Sequence, residues 1–149
     1  MEYRVACKED IDLLMQIRLE MLRIVNNLED TYLFDEKMLD SVKNYFLHGN
    51  QTTILAFDGG HVVGCASVSY IDIMPTFSHP TGKRAHLMNV YTKESYRGKG
   101  IGQNLVELLI KDAKDKGATE ISLDATEMGR PLYEKIGFTA SEECMTMNI

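Results

Sequence analysis

The chain has 149 residues, of which 44% are hydrophobic and 26% are charged, and its formal net charge is -6 at pH 7. This composition is typical of one soluble globular domain, and we expect that domain to span residues 1–149. No apolar run reaches the roughly 18 residues of a membrane span, and the first residues lack the apolar core of a signal peptide. The negative charge argues against a nucleic-acid partner and mildly favours a neutral or cationic second ligand.

The three cysteines, Cys7, Cys65 and Cys144, are odd in number and do not have the spacing of metal ligands. Reduced thiols in a cytoplasmic protein are therefore predicted, with no disulfide framework and no metal site. Each cysteine is expected to be a small buried or half-buried hydrophobic side chain, because none lies in a recognisable nucleophile setting.

Hydrophobic periodicity and turn residues predict the elements in chain order. Apolar residues recur at helical spacing between Asp10 and the break at Asn26-Asn27, and Asp-Gly-Gly at 58–60 is a hairpin signal. Residues 75–84 form a polar connection, either a lid over the acceptor or a surface loop. The predicted strands are 3–6, 52–57, 61–70 (extending towards 74), 85–92, 120–123, 138–140 and 144–149. Four helices are predicted: the first begins at 9–10, the second spans 36–47, the third runs from about 101 to Gly117, and the fourth spans 130–136.

A glycine-rich turn, Arg97-Gly98-Lys99-Gly100-Ile101-Gly102, lies between a predicted strand and the first turn of a predicted helix. Glycines let the backbone approach a ligand closely, and the free N–H groups and dipole of a helix N-terminus favour an anion. The turn is therefore interpreted as a phosphate cradle, against the alternative of an ordinary tight turn. A Walker loop would need Ser or Thr after Gly98-Lys99, and the dinucleotide fingerprint needs a different glycine spacing.

The turn resembles the acyl-CoA pyrophosphate loop of the GNAT family of N-acetyltransferases, in which Arg or Gln is followed by two residues, Gly, one residue, and Gly or Ala. Arg97, Gly100 and Gly102 match that pattern. The element order β-α-α-β-β-β-α-β-α-β-β is the order that the family implies, in an α/β fold with a mixed sheet flanked by helices. Residues 132–138, Leu-Tyr-Glu-Lys-Ile-Gly-Phe, resemble the family's closing motif. The resemblance is most specific from about Ala85 onward.

The resemblance implies that acetyl-CoA is the acyl donor, that no metal is needed, and that an amine is the acceptor. It places Tyr133 beside the sulfur of the thioester, where the alternative is a tyrosine packed on the sheet with its hydroxyl in water. It also implies a bulge in the strand before the loop, with a backbone N–H from Asn89, Val90 or Tyr91 as donor to the thioester oxygen. The acetyl-CoA residues are expected among Val90, Tyr91, Thr92, Arg97, Gly98, Lys99, Gly100, Ile101, Gly102 and Asn104.

The chemistry requires a base, because an alkylamine with a pKa near 10 must lose a proton before it attacks. Glu20 on the first helix, Asp72 on the hairpin strand and His86 at the start of the cleft strand are candidates, each with a surface role as the alternative. Glu20, for example, stands between Arg18 and Arg23 on what reads as a solvated helix face. The side chains of Lys93 and Lys99 are expected to be solvated rather than specific ligands, so Lys99 is expected to contact the pyrophosphate through its backbone N–H.

Two other functions stay open: a non-catalytic acyl-CoA-binding module, and a nucleotide-binding domain that uses the same cradle. Neither explains the closing motif around Tyr133. The acceptor is not defined by the sequence; a polyamine, an aminoglycoside-like compound, an amino acid or a peptide amine would each fit. The apolar C-terminal strand is a candidate for pairing across a homodimer.

Overall fold

A meander of four antiparallel strands, extended by one parallel strand, forms a single mixed sheet in this computed structural model, which describes residues 1–149. Helices lie against both faces. The α/β class expected from the sequence is thereby confirmed. The strands are β1 (Glu2–Val5), β2 (Gln51–Asp58), β3 (His61–Asp72), β4 (Lys83–Thr92) and β5 (Glu120–Leu123), in that order across the sheet; the helices are α1 (Ile11–Val25), α2 (Glu36–His48), α3 (Ile101–Asp115) and α4 (Arg130–Ile136).

Each face of the sheet has its own apolar core. On one face, α3 buries Leu105 and Leu109 against residues of β2, β3 and β4 such as Ala66 and Leu87. On the other, α1 buries Leu14 and Ile17, and α2 buries Phe46, against Leu55, Phe57, Cys65 and Tyr91. The alternation along β2 sends neighbouring side chains to opposite cores, as the two-residue period of a strand requires.

The predicted helical faces are largely correct, with one exchange on α3. Helical spacing in the sequence predicts that Ile101, Leu105, Leu108 and Leu109 share one buried face. Ile101, Leu105 and Leu109 are buried, but Leu108 is 39% exposed and Val106 is buried instead. Because a helix turns 100° per residue, both positions lie at the edge of the apolar stripe, and the twist of the sheet decides which of them is covered.

The two C-terminal strands predicted at 138–140 and 144–149 are not formed. Met145, Met147 and Ile149 alternate with polar residues in the sequence, as in a strand that is buried on one side. In the structure their side chains are 94%, 84% and 116% exposed. A strand is stable when it pairs with a neighbour and covers an apolar face, and this segment does neither. The four-residue β5 consequently remains the edge of the sheet, paired only with β4.

None of the four helices combines the length and the apolar character that crossing a bilayer would require.

Candidate active site

β5 pairs with β4 along its whole length and then ends. The register runs from Arg84 opposite Glu120 to Leu87 opposite Leu123, and β4 continues five residues further without that neighbour. Beyond Leu87 the edge of β4 that faced β5 therefore has no neighbouring strand, and its backbone polar groups have no ladder partner on that side. This unpaired edge is an opening in the sheet.

The bulge predicted in β4 lies immediately beyond this opening. Ser67 of β3 is opposite Met88, and Cys65 is opposite Tyr91, so that Asn89 and Val90 together face one residue of β3. Asn89 has φ of 57°, a left-handed conformation that is uncommon outside glycine. The bulge re-aims the strand: Leu87 belongs to the α3 core, whereas Tyr91 belongs to the α1–α2 core.

The glycine loop, residues 97–102, leads from the end of β4 into α3. Gly98 and Gly100 have φ of 75° and 80°, and a Cβ on either would meet no atom within 4 Å. The open space lies on the solvent side, so glycine is required there by the backbone conformation and leaves room for a ligand. Gly102 differs, because a Cβ on it would lie 3.5 Å from Leu132 of α4.

The backbone of the glycine loop offers a run of free donors. The N–H groups of Gly98, Lys99 and Gly100 donate to no backbone acceptor, and the first helical hydrogen bond of α3 runs from Asn104 N–H to Gly100 O at 3.0 Å. The N–H groups of the first turn therefore also lack intrahelical partners. Such a run at a positive helix end fits the phosphate groups of acetyl-CoA.

The cationic side chains around the glycine loop are held by local contacts. Arg97 Nε donates to Thr92 O at 3.2 Å, which ties the loop to the end of β4. Lys99 Nζ lies 4.7 Å above the Tyr96 ring, and Lys93 Nζ lies 3.5 Å from Glu20 Oε2. Arg97 and Lys99 belong to the glycine loop itself, so their charges add to the attraction of its free N–H groups for an anion.

Asn104, expected among the acetyl-CoA residues, donates instead from Nδ2 to Tyr3 Oη at 3.1 Å. Tyr3 is on β1, at the sheet edge opposite to β5. This hydrogen bond is exposed, and the contact of Asn104 with acetyl-CoA stays a prediction.

Tyr133 of α4 lies half-buried against the α3 core, with its ring edge-on to Phe138 at a centroid distance of 6.0 Å. Its hydroxyl makes no hydrogen bond with the protein, and burial raises the pKa of Tyr133. The side chain therefore keeps its proton at neutral pH and has a free donor. Proline near the start of α4 and the left-handed Gly137 at its end fix the length of this short helix.

Glu20 is held at the bulged end of β4. Tyr91 Oη donates to Glu20 Oε1 at 2.8 Å across the space between α1 and the sheet. Burial first, and the Glu20 carboxylate after it, raises the pKa of Tyr91, so this hydroxyl remains a donor. Of the carboxylates considered from the sequence, Glu20 is the one brought to the bulge.

Asp72 and His86 are placed differently. Asp72 is opposite Lys83 at the far end of the β3–β4 pair, about 20 Å along the strand from the bulge at 3.3 Å per residue. His86 is closer: its Nδ1 lies 2.8 Å from Ser122 Oγ, and its Nε2 lies 3.7 Å from Asp124 Oδ2. The polar connection between β3 and β4 lies at the same end of the sheet as Asp72, far from the bulge. There, His79 Nε2 lies 3.0 Å from Glu120 Oε2 of β5.

A buried polar chain that the sequence did not indicate runs behind the bulge. Arg18 Nη1 donates to Asn89 Oδ1 at 3.1 Å, Asn89 Nδ2 donates to Ser67 Oγ at 3.2 Å, and Ser67 Oγ shares a hydrogen bond with Thr53 Oγ1 at 2.7 Å. Arg18 therefore points to the sheet and not to a solvated helix face. The available signal was the presence of Thr53 and Ser67 within otherwise apolar strands, since buried hydroxyls need partners.

A cavity of about 220 Å³ opens on the α1–α2 face of the bulge. Its walls come from α1, α2 and β4, and Asn89 belongs both to the walls and to the bulge. The residues that line it include Arg18, Ser41, Tyr45, Phe46, Met88 and Asn89.

Comparison with known proteins agrees with this geometry. The sequence pattern of the acetyltransferase (GNAT) family matches residues 18–138. A predicted acetyltransferase from Clostridium acetobutylicum, solved with acetyl-CoA, superposes with a TM-score of 0.85 at 30% identity, covering 99% of this chain and 95% of that one. The chain belongs to the acetyltransferase (GNAT) family, whose members use acetyl-CoA as acyl donor, and the family expected from the sequence is thereby confirmed.

The matches to curated relatives span a smaller share of each relative's length than the match to that solved structure does. Glucosamine 6-phosphate N-acetyltransferase of Trypanosoma brucei brucei is 36% identical over 90 residues, 60% of this chain and 59% of the relative. Thialysine N-epsilon-acetyltransferase of Sus scrofa is 28% identical over 133 residues, 78% of this chain and 75% of the relative. The matches to three curated relatives span 50% to 61% of their length.

Proposed function

We propose that this chain transfers an acetyl group from acetyl-CoA to a primary amine of a small acceptor, directly and within one ternary complex. The observation that carries the proposal is the combination of a glycine loop with free N–H groups and, ten residues or fewer before it, a bulge where β4 leaves β5. The first feature suits a pyrophosphate, and the second suits the thioester of the same molecule. Family membership supports the same assignment.

In the proposed reaction the neutral amine attacks the thioester carbon. A C–N bond forms, the C–S bond breaks, one amine proton passes to a base, and the CoA thiolate is protonated as it leaves. A backbone N–H of Val90 or Tyr91 at the bulge would donate to the carbonyl oxygen as it becomes negative. The bulge is a favourable place for such a donor, because its extra residue is released from the regular ladder.

Glu20 is the proposed base, either directly or through a water molecule. Its carboxylate is the nearest to the bulge among the candidates, and the hydrogen bond from Tyr91 fixes one of its oxygens while the other stays beside Lys93. His86 is the second candidate, since it lies on the same strand three residues before Asn89. Asp72 is disfavoured by its distance from the bulge.

Tyr133 is the proposed donor to the leaving sulfur. The hydroxyl has no competing partner in the protein and is protonated at neutral pH, as a donor must be. A thiol has a pKa of about 8.5, so a weak acid is sufficient to assist its departure.

The experiment for the proposed function is a thiol-release screen of the purified protein with acetyl-CoA and a panel of amines. The relatives suggest that the panel include amino sugars and amino acids. Acetyl-CoA-dependent release, with acetylated amine found by mass spectrometry, supports the proposal. Tight binding of acetyl-CoA without turnover on any amine would favour a binding module, and competition by ATP but not by CoA would favour a nucleotide site.

We infer two further properties of the chain. The first is that it acts in a reducing compartment, the cytoplasm, where its three cysteines would stay unpaired. The second is that it forms a homodimer through its C-terminal segment. We propose that the exposed Met145, Met147 and Ile149 pair with the open edge of β5 in a second copy; this edge borders a cavity of about 350 Å³ whose lining includes Ile121 and Phe138. Light scattering of the full chain should give a dimer, and removal of residues 144–149 should give a monomer; a monomeric full chain would contradict the inference.

A further inference from the structure

The guanidinium of Arg18 is a half-buried cation without an anionic partner. It takes part in none of the ion pairs of the protein. Its only contacts of hydrogen-bond type are made by Nη1, to Asn89 Oδ1 at 3.1 Å and to Met21 Sδ at 3.6 Å. An arginine has five N–H donors, so Nε and Nη2 leave three of them unused within the protein.

The surroundings of Arg18 make this cation costly. Desolvation by burial lowers the pKa of Arg18, and no carboxylate contributes to it. The cavity that it lines is otherwise built from apolar or neutral side chains, among them Val42, Phe46 and Met88, with no Asp or Glu. The Nε and Nη2 atoms of Arg18 are not among the fully buried polar atoms that lack a partner, so a ligand that enters the cavity can reach them. An anionic ligand there would offset the cost of desolvating the guanidinium.

The position of Arg18 is fixed rather than adaptable. Asn89 holds the guanidinium on one side and is itself held by Ser67 at 3.2 Å and by its place in the bulge. Since Asn89 is adjacent to Val90, a ligand on Arg18 would have its remaining atoms near the point where the thioester is proposed to lie. A preorganised donor set of this kind suits recognition of a carboxylate or phosphate, which the guanidinium fork matches in shape.

We propose that the acceptor carries an anionic group, a carboxylate or a phosphate, and that Arg18 binds this group in the cavity between α1, α2 and β4 while the amine faces the bulge. The proposal rests on the proposed acetyl transfer and narrows its acceptor class to acidic amines, such as amino acids or phosphorylated amines. Polycationic acceptors are excluded by it, although the net charge of -6 taken alone favoured cationic ligands. The local charge at the cavity is positive, and a ligand responds to the local field.

The test uses pairs of amines that differ only in the acidic group: L-lysine against 1,5-diaminopentane for the carboxylate, and O-phosphoethanolamine against ethanolamine for the phosphate. Binding to the protein saturated with CoA is measured by calorimetry, which does not require turnover. Arg18→Gln removes the charge and retains polar volume. Lys43→Gln is the matched control, because Lys43 is an exposed cation of α2, next to Val42, that makes no ion pair.

The wild type and Lys43→Gln should bind at least one acidic member about 10- to 100-fold more tightly than its neutral or cationic counterpart, and Arg18→Gln should lose that preference. The pair that shows the preference identifies carboxylate or phosphate as the group. Equal binding within both pairs, a preference for the cationic members, or a preference that survives Arg18→Gln would each overturn the proposal. Failure of the proposed acetyl transfer would appear separately, as preferential binding of an acidic amine without thiol release.

Discussion

At the scale of single residues, the hydroxyl of Tyr133 is the donor that we propose for the leaving sulfur. The ring is fixed by its contact with Phe138, whereas the oxygen has no partner in the protein. Tyr133→Phe should lower kcat about 100-fold, the lower part of the range for general acid assistance, because thiolate is already a fair leaving group. The dissociation constant of acetyl-CoA should hardly change, since the donor acts chiefly as charge develops on sulfur.

The control for Tyr133→Phe is Tyr32→Phe, which removes a hydroxyl from an exposed tyrosine in the connection between α1 and α2. Steady-state rates and acetyl-CoA affinity are measured for both proteins. Wild-type kcat in Tyr133→Phe would remove the hydroxyl from the mechanism and leave Tyr133 as a core residue.

The base can be assigned by comparing three isosteric or near-isosteric changes. Glu20→Gln should lower kcat about 100-fold or more, because the amide keeps the hydrogen bond from Tyr91 but cannot take a proton. Asp72→Asn should leave kcat within about twofold, since Asp72 lies at the far end of β3. If His86→Gln rather than Glu20→Gln removes the activity, the proton passes to the histidine.

The side chains also show where sequence reasoning loses information. Glu20 and Tyr133 were indicated by chemistry and by resemblance, and the structure brings Glu20 to Tyr91. Arg18 was interpreted as part of a solvated helix face, because helical spacing does not reveal that a polar chain in the sheet would receive it. Long-range hydrogen bonds join residues far apart in the chain, and no local pattern contains them.

At the scale of elements, the glycine loop and the start of α3 are the part of the candidate site that neighbouring residues in the sequence predict most directly. Gly100 has φ of 80°, and a Cβ there meets nothing within 4 Å, so that only backbone strain and ligand access are at stake. Gly100→Val should weaken acetyl-CoA binding about tenfold or more, equivalent to the loss of one charged hydrogen bond.

Gly60→Val provides a matched control for strain. Gly60 lies in the β2–β3 turn with φ of 82° and open space around it, so the same side chain meets the same conformational penalty there. Both variants should lose similar thermal stability, and only Gly100→Val should lose acetyl-CoA affinity by calorimetry. Unchanged affinity in a folded Gly100→Val protein would contradict the assignment of the loop.

The elements that the sequence predicted well are those whose signals are local. The bounds of β5 and α4 agree with the prediction to the residue, because turn residues delimit both. The prediction of two strands after Gly137 is wrong. Alternation of apolar and polar residues indicates which face a strand would bury, but it does not show that a neighbouring strand is available for pairing. Pairing is a property of the whole sheet, and the edge of β5 has no neighbour within the chain.

At the scale of the whole molecule, the sites proposed for acetyl-CoA and for the acceptor lie on different sides of the bulge in β4. The glycine loop lies at the end of β4, and the cavity at Arg18 lies on the α1–α2 face, with the bulge between them. Such an arrangement supports direct transfer, in which the acyl group never leaves CoA for the protein.

Direct transfer predicts that the cysteines are dispensable. Burial raises the pKa of Cys65 to about 12, so its thiol stays protonated. The burial expected of all three cysteines is wrong for Cys7 and Cys144, which are exposed. A Cys7→Ser/Cys144→Ser double variant should retain kcat within about twofold, because no acyl-enzyme is formed. Trapping of an acetyl-cysteine that forms and decays at the rate of turnover would contradict this.

The central claim is that acetyl-CoA bound at the glycine loop gives its acetyl group to an amine, and single-turnover mass spectrometry tests it most directly. Wild-type protein in excess is mixed with acetyl-CoA and an acceptor found by the thiol-release screen, and acetylated amine, free CoA and acetylated protein are followed together. We predict that acetylated amine and free CoA appear at one rate with no acetylated protein, and that Gly100→Val slows both at low acetyl-CoA concentration. Loss of acetyl-CoA without acetylated amine, or formation of acetylated amine at an unchanged rate in Gly100→Val, would contradict the claim.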